Sequence, residues 1–183
     1  NRGAEVGEDC AFFSFDKKEG SLITTAPIIV DEFESIAPQL TAIVNNVAAA
    51  GGEPVGVVVS AILPDKILES VVQRLSGEME RACHNLNLQI AGGNTLISKA
   101  VKNPILNVTV IGKKEVVLHQ NFHDYKAGQD ILLTKYVGLA GTAILSKMEQ
   151  SKLEERLPSY IVENGILLEK EIYVLAESRI AME

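Results

Sequence analysis

NNVAAAGGEPVGVVVSAILP, residues 45–64, carries the chain from the end of a helix into a strand through a pair of glycines. Upstream, Ile36, Leu40, Ile43, Val44, Val47 and Ala48 recur at the three- and four-residue spacing of a buried amphipathic helix. Gly51 and Gly52 supply its stop, because glycine enters left-handed conformations without a Cβ penalty. Downstream, VGVVVSAILP (55–64) is almost continuously apolar, which predicts a strand covered on both faces and ended by Pro64. The same turn raises a chemical question, since a glycine pair after a helix is either a plain stop or part of a phosphate site.

Working outward, CAFFSF (10–15) and SLITTAPIIV (21–30) are β-branched and aromatic runs joined by polar DKKEG, the pattern of a hairpin. DKILESVVQRLSGEMERACHNLN (65–87) predicts a long amphipathic helix with Asp65 as its N-cap. LQIAGGNTLIS (88–98) reads as a strand broken by a glycine pair, and NPILNVTVIGK (103–113) alternates as a further strand. The order ββ-α-β-α-β-β predicts an α+β fold in which helices cover one face of a mixed sheet. Polar HQNFHDYKAGQD (119–130) places a boundary near residue 124, dividing the chain into 1–123 and 124–183. Beyond it, ILLTKYVGLAGTAILSKMEQ (131–150) reads as strand, glycine loop and helix, and 151–183 as helical apart from a break at Leu157–Pro158. With Asn1 at one end and an uninterrupted helical pattern at the other, the chain reads as part of a longer protein whose second domain is incomplete.

A formal charge of −7 and a pI near 5.1 argue against a nucleic-acid binder, which would show a clustered basic surface. The longest apolar runs fall short of the roughly 20 residues a bilayer requires, so no membrane association is expected. Cys10 and Cys83 form neither a disulfide framework nor a zinc spacing, which fits a reducing cytoplasm.

Three glycine loops carry the candidate chemistry: GGEP (51–54), GGNT (92–95) and GLAG (138–141). Glycine lets backbone N–H groups approach an anion, although each loop alone is more often a turn, and none matches the Walker phosphate pattern. In VGEDCAFF (6–13), Asp9 could ligate Mg²⁺ through oxygen, or simply mark a polar strand entrance. DEFES (31–35) reads as an acidic helix start. His84, His119 and His123 form no metal or triad pattern. Cys83 and His84 point in different directions on a helix, and Cys10 reads as a small core residue.

In sequence order, GEDCAFF, TTAPI, NNVAAAGGEP, ILP, GGNT, VTVIGK and AGQDILLTKYVGLAGT resemble the aminoimidazole-ribonucleotide-synthase-related superfamily over residues 5–147. That superfamily includes PurM, thiamine-monophosphate kinase, selenophosphate synthetase and the hydrogenase maturation factor HypE. The segment from AGQD through TKYVGLAGTAIL looks most like the HypE branch. The resemblance implies a PurM-like N-terminal domain that dimerises through its strands, followed by a second α+β domain. It implies ATP bound with Mg²⁺ near the dimer interface, phosphorylation of a substrate oxygen and, for a HypE-like member, phosphorylation and dehydration of a carbamoyl-type group with other hydrogenase maturation proteins as partners. The site it implies comprises Asp9 as metal ligand and Asn46, Gly92, Gly93, Asn94, Thr95, Gly138, Gly141 and Thr142 at the nucleotide; no catalytic residue is assigned. The family pattern places acids in GxDxA, TTD, ND and GGDT motifs. Here Asp9 matches the first, whereas Ala26, Asn46 and Asn94 stand in the other three. A catalytically degenerate scaffold of the same fold, or a small-metabolite kinase, therefore competes with the HypE-like reading.

Overall fold

The computed structural model describes residues 4, 6–15, 18–30, 36–115 and 126–182. Helix α1 spans Ile36–Ala49 and buries the six apolar positions expected from their spacing. Its stop is closed by backbone bonds from Gly51 N–H to the Ala48 carbonyl (2.8 Å) and from Gly52 N–H to the Val47 carbonyl (3.0 Å), with Gly51 at φ +74°. The left-handed turn that these bonds demand is the reason for glycine at 51.

Strands β1 (Ala11–Ser14), β2 (Glu19–Ile29), β3 (Glu53–Pro64), β4 (Gln89–Ser98) and β5 (Ile105–Glu115) form one sheet in the order β1-β2-β5-β3-β4. The β3–β4 pair is parallel and the other three pairs are antiparallel, so the sheet is mixed as expected. Helix α2 (Glu69–Asn85) makes the crossover that a parallel pair requires. Leu22 and Ile28 of β2, Val57 of β3 and Val108 and Val110 of β5 pack with α1 and with Leu75, Met79 and Cys83 of α2 into one core. That core covers one face of the sheet. Residues of β3 that alternate with it, Val58, Ser60 and Ile62, are only half-buried, so the cover expected on both faces of β3 is present on one among the described residues.

Three local expectations are corrected. Helix α2 begins at Glu69 rather than after Asp65, because Ile67 N–H bonds back to the Pro64 carbonyl and the resulting turn moves the helix entrance to an extended Leu68. The glycine pair at 92–93 does not break β4. Val57 pairs with Ile90 and Val58 with Gly92, so Ala91 is the extra residue of a bulge within a continuous strand. No strand forms over 131–137. Ile131 and Leu132 are 98% and 90% exposed, and strand conformation needs a neighbouring ladder that the described residues do not provide.

After that segment come α3 (Leu139–Met148), α4 (Gln150–Glu154), α5 (Ser159–Leu167), a 3-10 turn (Leu168–Glu171) and α6 (Leu175–Met182). The break expected at Leu157–Pro158 is present. The DEFES cluster, His119, His123 and the boundary near 124 lie outside the described residues.

Candidate functional site

Asp9 is exposed immediately before β1, and its neighbour Cys10 is buried. The register Ala11↔Ile23 sets Cys10 beside Thr24, and the Cys10 thiol hydrogen-bonds the Thr24 side chain. Thr24 is a buried polar residue of the core-facing side of β2, and its Oγ1 accepts a hydrogen bond of 3.4 Å from Asn46 Nδ2 of α1. Cys10, Thr24 and Asn46 therefore form a contiguous polar seam between the sheet and α1, with exposed Asp9 next to it along the chain. Ala26 lies two residues further along the same face of β2, so the seam continues as a methyl group where the family pattern has an acid.

Lys114 closes the other end of this seam. It pairs with Gly20 in the sheet, and its Nζ donates to the Ala50 carbonyl at 2.6 Å. Burial lowers its pKa, opposed by the nearby Cys10 and Glu8. Burial, then the Asp9 charge, pushes the Cys10 thiol up to about 11, so it stays protonated near neutrality and serves as core, as expected. Cys83 is likewise buried and pushed up to about 11 by desolvation, while His84 faces solvent, so the pair makes no dyad. Neither cysteine is in a disulfide. Among the described residues no group of three or more His, Cys, Asp or Glu could hold a metal ion.

The remaining sequence-predicted residues lie elsewhere. Asn94 pairs with Ser60, which pairs in turn with Asn107, and this row belongs to the sheet face opposite α1. Thr95 pairs with Ala61 on the core-facing side but is exposed. Gly93 has a structural reason to be glycine, because a Cβ would stand 1.8 Å from the Val59 carbonyl oxygen, whereas a Cβ at Gly92 would meet nothing within 4 Å. Since β1 and β4 are opposite edges, four strand spacings of about 4.8 Å put roughly 19 Å of sheet between Asp9 and Asn94. Gly138 adopts φ +73° at the N-cap of α3, but Gly141 and Thr142 lie inside that helix rather than in a loop, and Thr142 Oγ1 is engaged by the Gly138 carbonyl at 3.0 Å. Leu139, Ala140, Ala143 and Ile144, four apolar residues at helical spacing around Gly141, favour the helix over the loop expected for GLAG.

Other polar contacts were not foreseen. Asn45, one residue before Asn46, donates Nδ2 to the Ile172 carbonyl (2.8 Å) and accepts Val174 N–H on Oδ1 (3.1 Å). Ser178 bonds the Ala48 carbonyl, and Arg179 pairs with Glu53, so α6 lies over the glycine stop with Met182 against Gly51. Lys135 donates to the Glu171 and Tyr173 carbonyls (2.7 and 2.6 Å) and pairs with Glu177 at 3.0 Å, tying residue 135 to the C-terminal strap that contains α6. Two adjacent asparagines were the visible signal, but the partner of Asn45 lies 127 residues away.

Two helices on one face of a five-stranded mixed sheet, entered by an acidic turn, place the chain in the α+β class. Residues 7–113 match the family described as AIR synthase related protein, N-terminal domain, and the chain belongs to that family. It is 24% identical over 158 residues to a selenide, water dikinase of Haemophilus influenzae, covering 84% of this chain and 45% of that protein. Among solved structures it is similar to AaThiL complexed with AMPPCP and TMP (26% identity, TM-score 0.50, covering 60% of this chain and 37% of that one). It is also similar in fold to a chain of a HypE–HypF complex (18% identity, TM-score 0.50, 58% and 36% covered). The chain spans less than half the length of the curated relatives it matches. No helix among the described residues is long and apolar enough to cross a membrane.

Proposed function

We propose that the chain carries the nucleotide-binding part of an ATP-dependent enzyme that transfers a phosphoryl group to a substrate oxygen. The observation that carries this reading is the run of contacts Asn46–Thr24–Cys10, which links one position of the family's phosphate-and-metal pattern to the strand entrance that holds another, Asp9. A selenide, water dikinase at 24% identity and a ThiL complex holding AMPPCP support the level of ATP-dependent phosphoryl transfer. The HypE-like dehydration is one member of that class, beside small-molecule kinases; the HypE likeness supports the fold alone.

Mg²⁺ is the group this chemistry implies. The donors proposed are the carboxylate of Asp9 and the amide of Asn46, whose Nδ2 is committed to Thr24 and whose other polar atom, Oδ1, is a neutral oxygen of the kind hard cations accept. Such a set fits a cation that arrives with the nucleotide and keeps phosphate and water ligands, not an all-protein cage. Asp9 and Asn46 would hold it, and it would neutralise phosphate charge. Titration calorimetry of the protein with Mg·ATP tests the reading: binding that Asp9→Ala weakens is expected, and no heat at millimolar nucleotide with an intact fold removes it.

The exchange of acids for Ala26, Asn46 and Asn94 favours a second reading, a scaffold of the same fold that has lost catalysis. Restoring aspartate at all three positions would then create ATP hydrolysis that the unmodified protein lacks. Hydrolysis by the unmodified protein would eliminate this alternative.

A further inference from the structure

A cavity of about 150 Å³ opens between the N-terminal half of α1 and α3, away from the seam at Asn46. Pro38, Gln39 and Ala42 line it from α1, and Ala143, Ile144 and Lys147 from α3. Its wall is chiefly methyl and methylene groups, with Ile172 buried at its base. Two polar features interrupt that wall. Lys147 is neutralised by Glu169, Nζ to Oε2 at 3.0 Å. Gln39 Nε2 is screened from solvent and has no hydrogen-bond partner among the described residues. Buried donors of native proteins nearly always have an acceptor, so an orphan amide lining an apolar cavity marks the place of an acceptor supplied by something else.

The geometry points to a small-molecule site, distinct from the proposed nucleotide site, for a neutral apolar group of about benzene size that carries one carbonyl acceptor for Gln39. Size follows from the volume, since an apolar cavity of about 150 Å³ accommodates benzene. Neutrality follows from the ion pair, which leaves no unbalanced charge in the wall to favour a carboxylate.

Benzamide, benzene and benzoate are the probes, titrated into the ¹⁵N-labelled 183-residue chain with amide shifts as the readout. Benzamide is expected to give saturable shifts at Ala42, Ala143 and Ile144, and to bind more tightly than benzoate. Gln39→Met, which keeps length but removes the donor, should weaken benzamide about tenfold and leave benzene unchanged, the ratio that one hydrogen bond supplies. Ala42→Phe, at an exposed α1 position on the cavity mouth, should abolish binding of both while the rest of the spectrum is retained. Saturating Mg·ATP should leave the benzamide affinity unaltered, so failure of nucleotide binding and failure of this site are separate results. The proposal is overturned by absence of saturable shifts at those residues, by an unchanged benzamide affinity in Gln39→Met, by tighter binding of benzoate, or by displacement of benzamide with nucleotide.

Discussion

Asn46 bonds Thr24, which contacts the Cys10 that follows Asp9, and it brings an amide where the family pattern has a carboxylate. Cation affinity at such a site follows the number of charged oxygens closely, because the Coulomb term for each is large when the site is shielded from water. Asp9→Ala should therefore lower Mg·ATP affinity at least tenfold, and Asn46→Asp should raise it, both read by calorimetry. Cys83 permits a cleaner electrostatic test, since desolvation is the only cause of its shift. Its thiol goes from an ordinary 9.0 to about 11 in the fold, so the folded state holds the proton that the unfolded state releases. The thiol's contribution to stability is full below pH 9 and is lost as pH rises from 9 through 11. Urea midpoints of the wild-type protein and Cys83→Ala should thus converge between pH 8 and pH 10.5. A parallel pair of curves would contradict the buried, neutral thiol. Cys10 is less suitable because Lys114, with its lowered pKa, releases its proton early and works in the opposite direction.

The elements divide into those that local pattern specifies and those that distant contacts specify. Helix α1 was legible in full because its six buried residues, glycine stop and following strand agree with one another. The sheet was legible for the same reason, down to the alternation of β5. The face on which Asn94 lies was not, because it depends on a one-residue bulge at Ala91, and a bulge reverses every side chain after it. Gly93→Ala tests that bulge: the new Cβ would collide with the Val59 carbonyl, a backbone atom that cannot rotate away, and a loss of at least about 2 kcal/mol in unfolding free energy is expected. The strap from Ile172 to Met182 was the least legible element. Its anchor is a single asparagine that bonds one carbonyl and one N–H far along the chain. Asn45→Ala should cost about 2 kcal/mol, two hydrogen bonds at the usual net value, and should open α6 to proteolysis before the sheet unfolds. Equal protease resistance in both proteins would place the hold on α6 elsewhere.

For the whole molecule, the separation of Asp9 and Asn94 at opposite sheet edges is the decisive geometry. A site that drew Asp9 from one copy of the chain and Asn94 from another would use both residues without spanning that width of sheet. Among the described residues strand β4 is an unpaired edge, Leu96 is 55% exposed on it, and the sheet face opposite α1 carries exposed Ile29. Bare edges and apolar faces of this kind are the surfaces through which sheets associate. The homodimer implied by the family resemblance would bring the β4 of one copy toward the seam of the other. Mixing variants tests this arrangement. Asp9→Ala and Asn94→Ala are each expected to bind Mg·ATP poorly alone. Co-refolded at equal amounts, half the dimers of a two-fold complex are mixed, and each mixed dimer has one site with both residues intact, so about a quarter of the wild-type binding capacity should return. Capacity no greater than that of the separate variants would mean that Asn94 takes no part in the site of its neighbour, and that Asp9 and Asn46 hold the nucleotide within one copy.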